Sequence, residues 1–396
     1  MIQVFQFIES FSYFSLSSIL TLYFTDQFLY SDLEAGTVYS IYNFLLVGYG
    51  IILGQFVDRL GVKTSLIVGS ILLVIGRAFL FVSTGSIFTL CIMFSLLSWG
   101  TSFVGPALQI AIKRVTNKLT RPAAFSLFYV VMNIAALCSG WMIDGFRAYL
   151  PRTKDNKLTG ATWDLGFASF QFNYERAVLM VGFIVTIGFL PAAFCCVRKY
   201  DSSEDLKERQ QENVAMSYWK VFRERRFWKF LAFIFLLCFI KKIFRYLDSM
   251  FGKFSERVLG PEVPWATIVT INPFLILFLV PLSTPLSFYM NGYTQILVGS
   301  FISGISPFAL AISPTVTGAI VFIVVLSLGE AIWSPRLYEY SISIIEKGKE
   351  GIYLGLASSN YFFGALLSGL IGGGLVEELC PPKPAEQNPR LLWGPR

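Results

Sequence analysis

Gly54-Gln-Phe-Val-Asp58-Arg59-Leu-Gly61-Val-Lys63 separates two apolar runs, at about 35–57 and about 65–84. One run ends, a glycine-containing turn carries an acid and two bases, and the second run begins. An Asp58–Arg59 pair, or Asp58 set against a neighbouring helix end, makes a charged contact of the kind that a conformational change can break. The plainer reading is a short turn that happens to be charged. The rest of the chain decides between them.

Each flanking run is close to the ~20 residues that a bilayer core demands. Runs of the same kind recur at about 4–25, 87–112, 123–144, 176–196, 227–250, 266–288, 293–313, 315–335 and 352–376, which makes about 11 predicted membrane segments. Composition agrees: of 396 residues, 55% are hydrophobic, 16% aromatic and only 14% charged, where a soluble protein carries about a quarter charged residues. The expected fold class is all-α, a polytopic membrane protein. The net charge of +7 is then a matter of topology and not of nucleic-acid binding, because the bases sit in loops.

Several chemistries drop out. There is no histidine, which removes His-based triads, most zinc sites and the usual neutral-pH proton shuttle. Proton handling falls to carboxylates. The six cysteines include no C-x-x-C pair and read as small packing residues. No G-x-x-x-x-G-K-[ST] loop offers itself to ATP, and no metal-ligand spacing or nucleophile–base set appears. The expectation is no enzyme, no cofactor and no metal.

Residues 197–226 form the longest charged stretch and read as a solvated linker with a surface helix. The expected organisation is an N-terminal six-helix bundle over 1–196, a cytoplasmic linker over 197–226, a C-terminal five-helix bundle over 227–380 and a polar tail over 381–396. A twelfth segment is missing. A truncated or mispredicted gene model gives such a chain; a true eleven-helix protein is the other reading. Gly50-x-x-x-Gly54, and Gly364, Ser368 and Gly372 at four-residue steps, mark faces for close helix approach. Between the fifth and sixth segments lies a polar stretch, 146–174, holding both charge signs. The loops that carry Arg59, Lys63, Lys113, Arg114, the 197–226 cluster, Lys347 and Lys349 are richer in bases than the opposite loops. Those loops and the amino terminus are expected in the cytoplasm, at the plasma membrane or an organelle.

With the segments placed, the Gly54–Lys63 turn resembles the loop between helices 2 and 3 of the major facilitator superfamily, G-x-x-x-D-R-x-G-R-K, with Val62 replacing one base. Four more stretches resemble one branch of it, the proton-coupled oligopeptide transporters (POT/PTR). The first segment has Gln6-Phe-Ile-Glu9-Ser10-Phe11-Ser12-Tyr13-Phe14, similar to E-x-x-E-R-F-x-Y-Y. The fifth has Phe125-Ser-Leu-Phe128-Tyr129-Val-Val-Met-Asn133, similar to F-S-x-F-Y-x-x-x-N. The eighth opens on Thr270-Ile271-Asn272-Pro273, similar to S-x-N-P, and the tenth has Gly329-Glu330 and Ser334-Pro335, similar to G-E-x-x-x-S-P. The helix-1 and helix-4 motifs are degenerate: Gln6, Ser10 and Phe14 replace an acid, an Arg and a Tyr, and Gly105 stands where G-x-G-x-x-K-P has its Lys.

The resemblance implies two pseudo-symmetric helix bundles with a central site near the bilayer midplane. It implies substrate contacts at Tyr13, Asn133, Asn272 and Glu330, with Asn272 and Glu330 clamping a peptide's amino terminus. It implies a conformational gate at Gly54, Asp58, Arg59, Gly61 and Lys63. Glu9 and Arg77 are the candidates for proton coupling, although Glu9 lacks the partners that the branch pattern would give it.

The residues admit other readings. An intramembrane carboxylate is costly unless paired, protonated or lining water, so Glu330 suits a substrate ammonium; otherwise it sits near the membrane edge and pairs with Arg336. Asn272 before Pro273 suits a carbonyl contact or the relief of a broken helix. Glu9 is a proton carrier or a static partner of Arg77, and Arg77 is that partner or a contact for a substrate carboxylate. Tyr13 and Asn133 bond a substrate backbone or another helix. Lys241, Lys242, Arg245 and Asp248 form an outer gate or the extramembrane end of a long helix.

The expected function is secondary active transport of a small polar solute, a di- or tripeptide or an amino-acid-like compound, by alternating access. Proton coupling is a candidate feature. The alternatives are an uncoupled facilitator for another solute and a non-transporting receptor or scaffold. Expected partners are the small-molecule substrate, protons if transport is coupled, and the lipid bilayer; nucleic acid is not expected, and the protein is expected to be a monomer.

Overall fold

The computed structural model describes residues 2–116, 121–151, 161–164, 166, 169–190, 223–283, 285–286, 289–344, 359–382 and 387–394. Helix α1 spans Ile2–Phe28, α2 Asp32–Leu60 and α3 Val62–Val82. Helix α4 (Ser86–Ile92) passes through a π-helical turn, Met93–Leu97, into α5 (Ser98–Val115). Helix α6 covers Arg121–Tyr149 and α7 covers Tyr174–Ile187. Between them, β1 (Ala161–Asp164) and β2 (Ser169–Phe172) pair antiparallel. Helix α8 spans Arg225–Ser249, and α9 (Phe251–Phe254) runs into a second π-helical turn, Ser255–Leu259. Then come α10 (Trp265–Ser283), α11 (Gly292–Ile305), α12 (Phe308–Ile312), α13 (Val316–Ile344), α14 (Ser359–Leu379) and α15 (Pro389–Trp393). Each predicted segment overlaps a described helix; 191–196 of the sixth, 352–358 of the eleventh and nearly all of the predicted 197–226 linker lie outside the described residues. Among the described residues, 6 spans are long and apolar enough to cross a membrane.

Local chemistry sets the helix ends. Ser31 and Glu34 cap α2 reciprocally: the Ser31 N–H donates to Glu34 Oε2 (2.8 Å) and the Glu34 N–H to Ser31 Oγ (3.2 Å). Asn173, Asn291 and Asn388 accept from the first-turn N–H groups of α7, α11 and α15. Gly61 separates α2 from α3 at φ +82°, a left-handed conformation that only glycine adopts cheaply. The 146–174 stretch, read as polar connection, contains the hairpin. Trp163 stacks on Phe172 across it at 4.2 Å, a cross-strand aromatic pair of the kind that stabilises short ribbons.

By internal contact the chain forms two compact units: Met1–Leu16, Asp26–Phe28 and Ile41–Arg223 in one, and Ser17–Thr25, Leu29–Ser40 and Glu224–Arg396 in the other. In the first unit α3 packs on α5 and α7. Arg176 ties the base of α7 to the end of α3, donating to the carbonyls of Phe81 (2.5 Å) and Ser83 (2.6 Å) and lying 4.8 Å over the Phe170 ring.

In the second unit α8 packs on α14. A Cβ at Gly364 would come within 3.2 Å of Lys241 Cβ, and one at Gly372 within 3.3 Å of Met250 Sδ, so the predicted small-residue face is where these helices meet. The Gly50-x-x-x-Gly54 step differs, since a Cβ at Gly50 would point into open space. The segment read as a polar tail also differs. Trp393 of α15 is 4% exposed and meets Phe251, Phe254 and Phe322 at 6.5, 5.3 and 5.4 Å. Two apolar residues, Leu392 and Trp393, suffice to seat one helical turn without an apolar run long enough to stand out in sequence.

Asp32, the first residue of α2 and outside the apolar run 35–57, joins the second unit. Its carboxylate accepts from Lys253 Nζ (2.7 Å) and from both terminal nitrogens of Arg257, one at 3.0 Å. Burial alone would push this carboxyl up; the Lys253 ammonium and the Arg257 guanidinium outweigh it and hold the group below the usual carboxylate range.

Candidate functional site

The predicted site residues fall into one group within each unit. In the first unit, α1 carries Glu9 and Tyr13 four residues apart, on one helical face. Tyr13 donates to Asn43 Oδ1 of α2 at 3.2 Å. Arg77 of α3 is 7% exposed and donates to the Ser12 carbonyl at 3.0 Å. It lies within electrostatic reach of Glu9 and of Tyr42, and its buried Nε has no hydrogen-bond partner among the described residues. Where the branch pattern has an acid and an Arg, Gln6 donates to Ser10 Oγ at 2.7 Å. The contact is between two neutral side chains. At Gly105 a Cβ would meet open space. Asn133 is 7% exposed, and its amide donates back to the Tyr129 carbonyl at 2.8 Å, so one of its donors serves its own helix.

In the second unit, Asn272 of α10 and Glu330 of α13 meet directly. Asn272 Nδ2 donates to Glu330 Oε2 at 2.8 Å and to Ser327 Oγ at 3.0 Å. Ser327 in turn donates to the Ile323 carbonyl at 2.7 Å. Both amide hydrogens of Asn272 are engaged, which leaves its oxygen as the acceptor. Pro273 follows Asn272 inside α10; lacking an N–H, it leaves a turn of that helix without its usual bond. Glu330 is 7% exposed and stands midway along α13, not at a helix end. A carboxylate and an amide oxygen fixed side by side can take an ammonium group.

The four charges of α8 separate. Arg245 donates to Asp248 at 3.0 Å, one turn apart, and Tyr39 donates to the same carboxylate at 3.4 Å. Lys241 is buried beside Trp333 of α13, its ammonium 4.6 Å from the ring centroid, and is not at the end of the helix. Of the predicted gate, Gly54 lies in α2, Gly61 forms the break and Lys63 stands in the first turn of α3. The side chains of Asp58 and Arg59 lie outside the described residues. Sequence reasoning missed Tyr42, Asn43, Ser327 and Trp333. Asn43 and Ser327 were visible as polar residues inside apolar runs; nothing marked Trp333 out among the aromatics.

A sequence model of the Major Facilitator Superfamily matches residues 4–369. The multidrug resistance protein MdtH of Photorhabdus laumondii is 21% identical over 389 residues, covering 96% of this chain and 87% of that protein. Among solved structures, a POT family transporter in complex with 5-aminolevulinic acid superposes with a TM-score of 0.76 at 15% identity, covering 96% of this chain and 91% of that one. Tetrameric PepTSo2 superposes with a TM-score of 0.70 at 16% identity, covering 99% and 91%.

Proposed function

The chain belongs to the major facilitator superfamily, and from that premise we propose that this transporter moves di- or tripeptides, or amino-acid-like compounds, held at the ammonium end by Glu330 and Asn272. The observation that carries the reading is the 2.8 Å bond between them. It joins two helices distant in sequence at the two positions where the POT resemblance puts the amino-terminus clamp. A buried carboxylate costs too much to keep without a partner or a task. The 5-aminolevulinic acid complex of a structural neighbour is consistent with an amino-acid-like solute.

In this reading alternating access is the work of an N-terminal bundle over 1–196 and a C-terminal bundle over 227–380, joined by the 197–226 linker. The amino terminus and the Gly54–Lys63 turn are cytoplasmic, and the protein is a monomer. Tyr13 and Asn133 contact the solute backbone, while Glu9 and Arg77 handle any coupled proton. One observation favours an uncoupled facilitator as the second reading. The Gln6–Ser10 bond is neutral, so the first helix lacks the charged pair that the branch pattern offers to a proton.

Ligand-induced thermal stabilisation in detergent tests the substrate class. A ligand that binds the folded state raises its melting midpoint. Di- and tripeptides are expected to do so, nitrate and sugars are not, and Glu330→Gln is expected to lose the peptide response. A folded protein that ignores peptides would sink the assignment.

A further inference from the structure

A cavity of about 310 Å³ opens in the first unit, among residues that the substrate reading does not use. Its walls include Gln27 near the end of α1, Thr84 just past α3, Arg176 in the first turn of α7, and Thr162, Ser169 and Gln171 of the hairpin. Helix α3 starts at the Gly61 break and runs 21 residues, or ~30 Å at 1.5 Å per residue, about the thickness of a bilayer core. The cavity therefore lies at the membrane face opposite the Gly61 turn. Its volume is at the lower end of the range for small-molecule sites, ~300–1,000 Å³.

The charges at its base are already committed. Buried Arg176 gives both terminal nitrogens to the Phe81 and Ser83 carbonyls and lies over the Phe170 ring. Buried Glu175, off the cavity wall, accepts from Gln27 Nε2 at 3.4 Å. A solute carboxylate thus finds no open fork at Arg176, and a solute ammonium meets its positive charge. The rim is neutral. Thr84, Thr162 and Ser169 are exposed, and each hydroxyl can donate or accept. Gln171 Oε1 is buried and has no hydrogen-bond partner among the described residues. A buried acceptor without a donor is costly, so the cavity suits an occupant that brings an N–H or O–H.

Strand geometry favours amides over alcohols. Side chains two apart on a strand share a face, so Ser169 and Gln171 stand ~7 Å apart on one face of β2. The register sets Thr162 opposite Gln171. Alternate amides of an extended chain repeat at the same ~7 Å, a period that a polyol lacks. We propose that this cavity is a second binding site, separate from the Glu330–Asn272 pair, for a small uncharged solute with two or more amides. Gln171 Oε1 accepts a solute N–H, and the hydroxyls of Thr84, Thr162 and Ser169 bond its remaining amide groups. Such a solute carries no ammonium, so the proposal stands independently of the ammonium clamp. A free dipeptide, with one amide and two charged ends, binds here more weakly.

The probe is N-acetyl-alanyl-alaninamide, which carries amides throughout and no charge. It is titrated into the purified full chain in detergent, beside sorbitol at matched concentrations, and binding is read as a rise in the melting midpoint. Wild type is expected to respond saturably to the probe and not to sorbitol. Gln171→Leu and Thr84→Val are each expected to weaken the probe about 10-fold, the scale of one hydrogen bond, and Glu330→Gln to bind it as wild type does. Thr84→Val is isosteric and at the exposed rim, so it reports on the site even if Gln171→Leu does not fold. Folded wild type without a saturable response overturns the proposal, as does wild-type affinity in a folded variant of either kind. Loss of the response in Glu330→Gln also overturns it, because the probe would then sit at the clamp. A saturable sorbitol response that Gln171→Leu weakens overturns the assignment to amides. Failure of alanyl-alanine to bind would sink the clamp and leave the result with the blocked probe unchanged.

Discussion

Replacing Asp32 by asparagine removes the charge on which two bases converge. The carboxylate is 6% exposed and Lys253 only 2%, and their bond is 2.7 Å long. Removing one partner of such a buried pair costs ~3–5 kcal/mol, because the other charge stays behind in a poor solvent. Arg257 adds little, since it is partly exposed and keeps its 2.9 Å bond to the Cys380 carbonyl. The low end, ~3 kcal/mol, is therefore expected. At ~2.1 cal/mol/K per residue, unfolding 396 residues carries ~0.8 kcal/mol per degree. The midpoint should then fall by about 4 °C in a tryptophan-fluorescence melt of purified protein. Adding Lys253→Met to Asp32→Asn should recover part of the loss by removing the stranded ammonium. A singly substituted protein that melts with the wild type, or a double variant whose loss equals the sum of the two singles, refutes the reasoning.

The same contact has a pH signature. A depressed carboxyl contributes stability that is fully present above its unfolded value, ~3.9, and is lost as pH falls through its folded value. Wild type should thus lose stability below pH ~4 by an increment that Asp32→Asn lacks; parallel acid melts would contradict this. Trp393→Ala removes a ring seated among Phe251, Phe254 and Phe322 and should cost ~3–5 kcal/mol, read as a lower midpoint; no change would mean that α15 is not docked in solution. Gly329→Ala would put a Cβ 2.6 Å from the Gly299 carbonyl oxygen, an overpacking cost of ~1–3 kcal/mol or more, read as loss of the monodisperse peak on size exclusion. Arg176→Lys keeps the charge but cannot reach both the Phe81 and Ser83 carbonyls; a midpoint lowered by ~1–3 kcal/mol is expected, and an unchanged one would show the fork to be dispensable.

The helices were legible because a bilayer leaves so little choice: an apolar run of about 20 residues that must satisfy its own backbone is a helix. The break at Gly61 was legible for the same kind of reason, a glycine between two such runs. The hairpin was harder to see. Its strands are four residues each, and the Trp163–Phe172 contact that holds it becomes visible only once the register is known. Seating α15 took two apolar side chains, too few to register as a pattern. At the site, Asn272 and Glu330 stood out as polar residues in apolar runs, and a short motif placed each. Lys241, Lys242, Arg245 and Asp248 read as one charged cluster in sequence, and the structure separates them because Lys241 turns to Trp333 of α13 while Arg245 pairs with Asp248 one turn along. The Trp333 platform depends on Ser303 and Gly299 of another helix, a relation that no local pattern carries.

Uptake of labelled alanyl-alanine by proteoliposomes, wild type against Glu330→Gln, with and without an inward proton gradient, tests the central claim most directly. Saturable uptake by wild type that Glu330→Gln abolishes is the predicted result; acceleration by the gradient would mark coupling, and indifference to it the facilitator. Folded, reconstituted wild-type protein that shows no saturable peptide uptake under either condition would contradict the account.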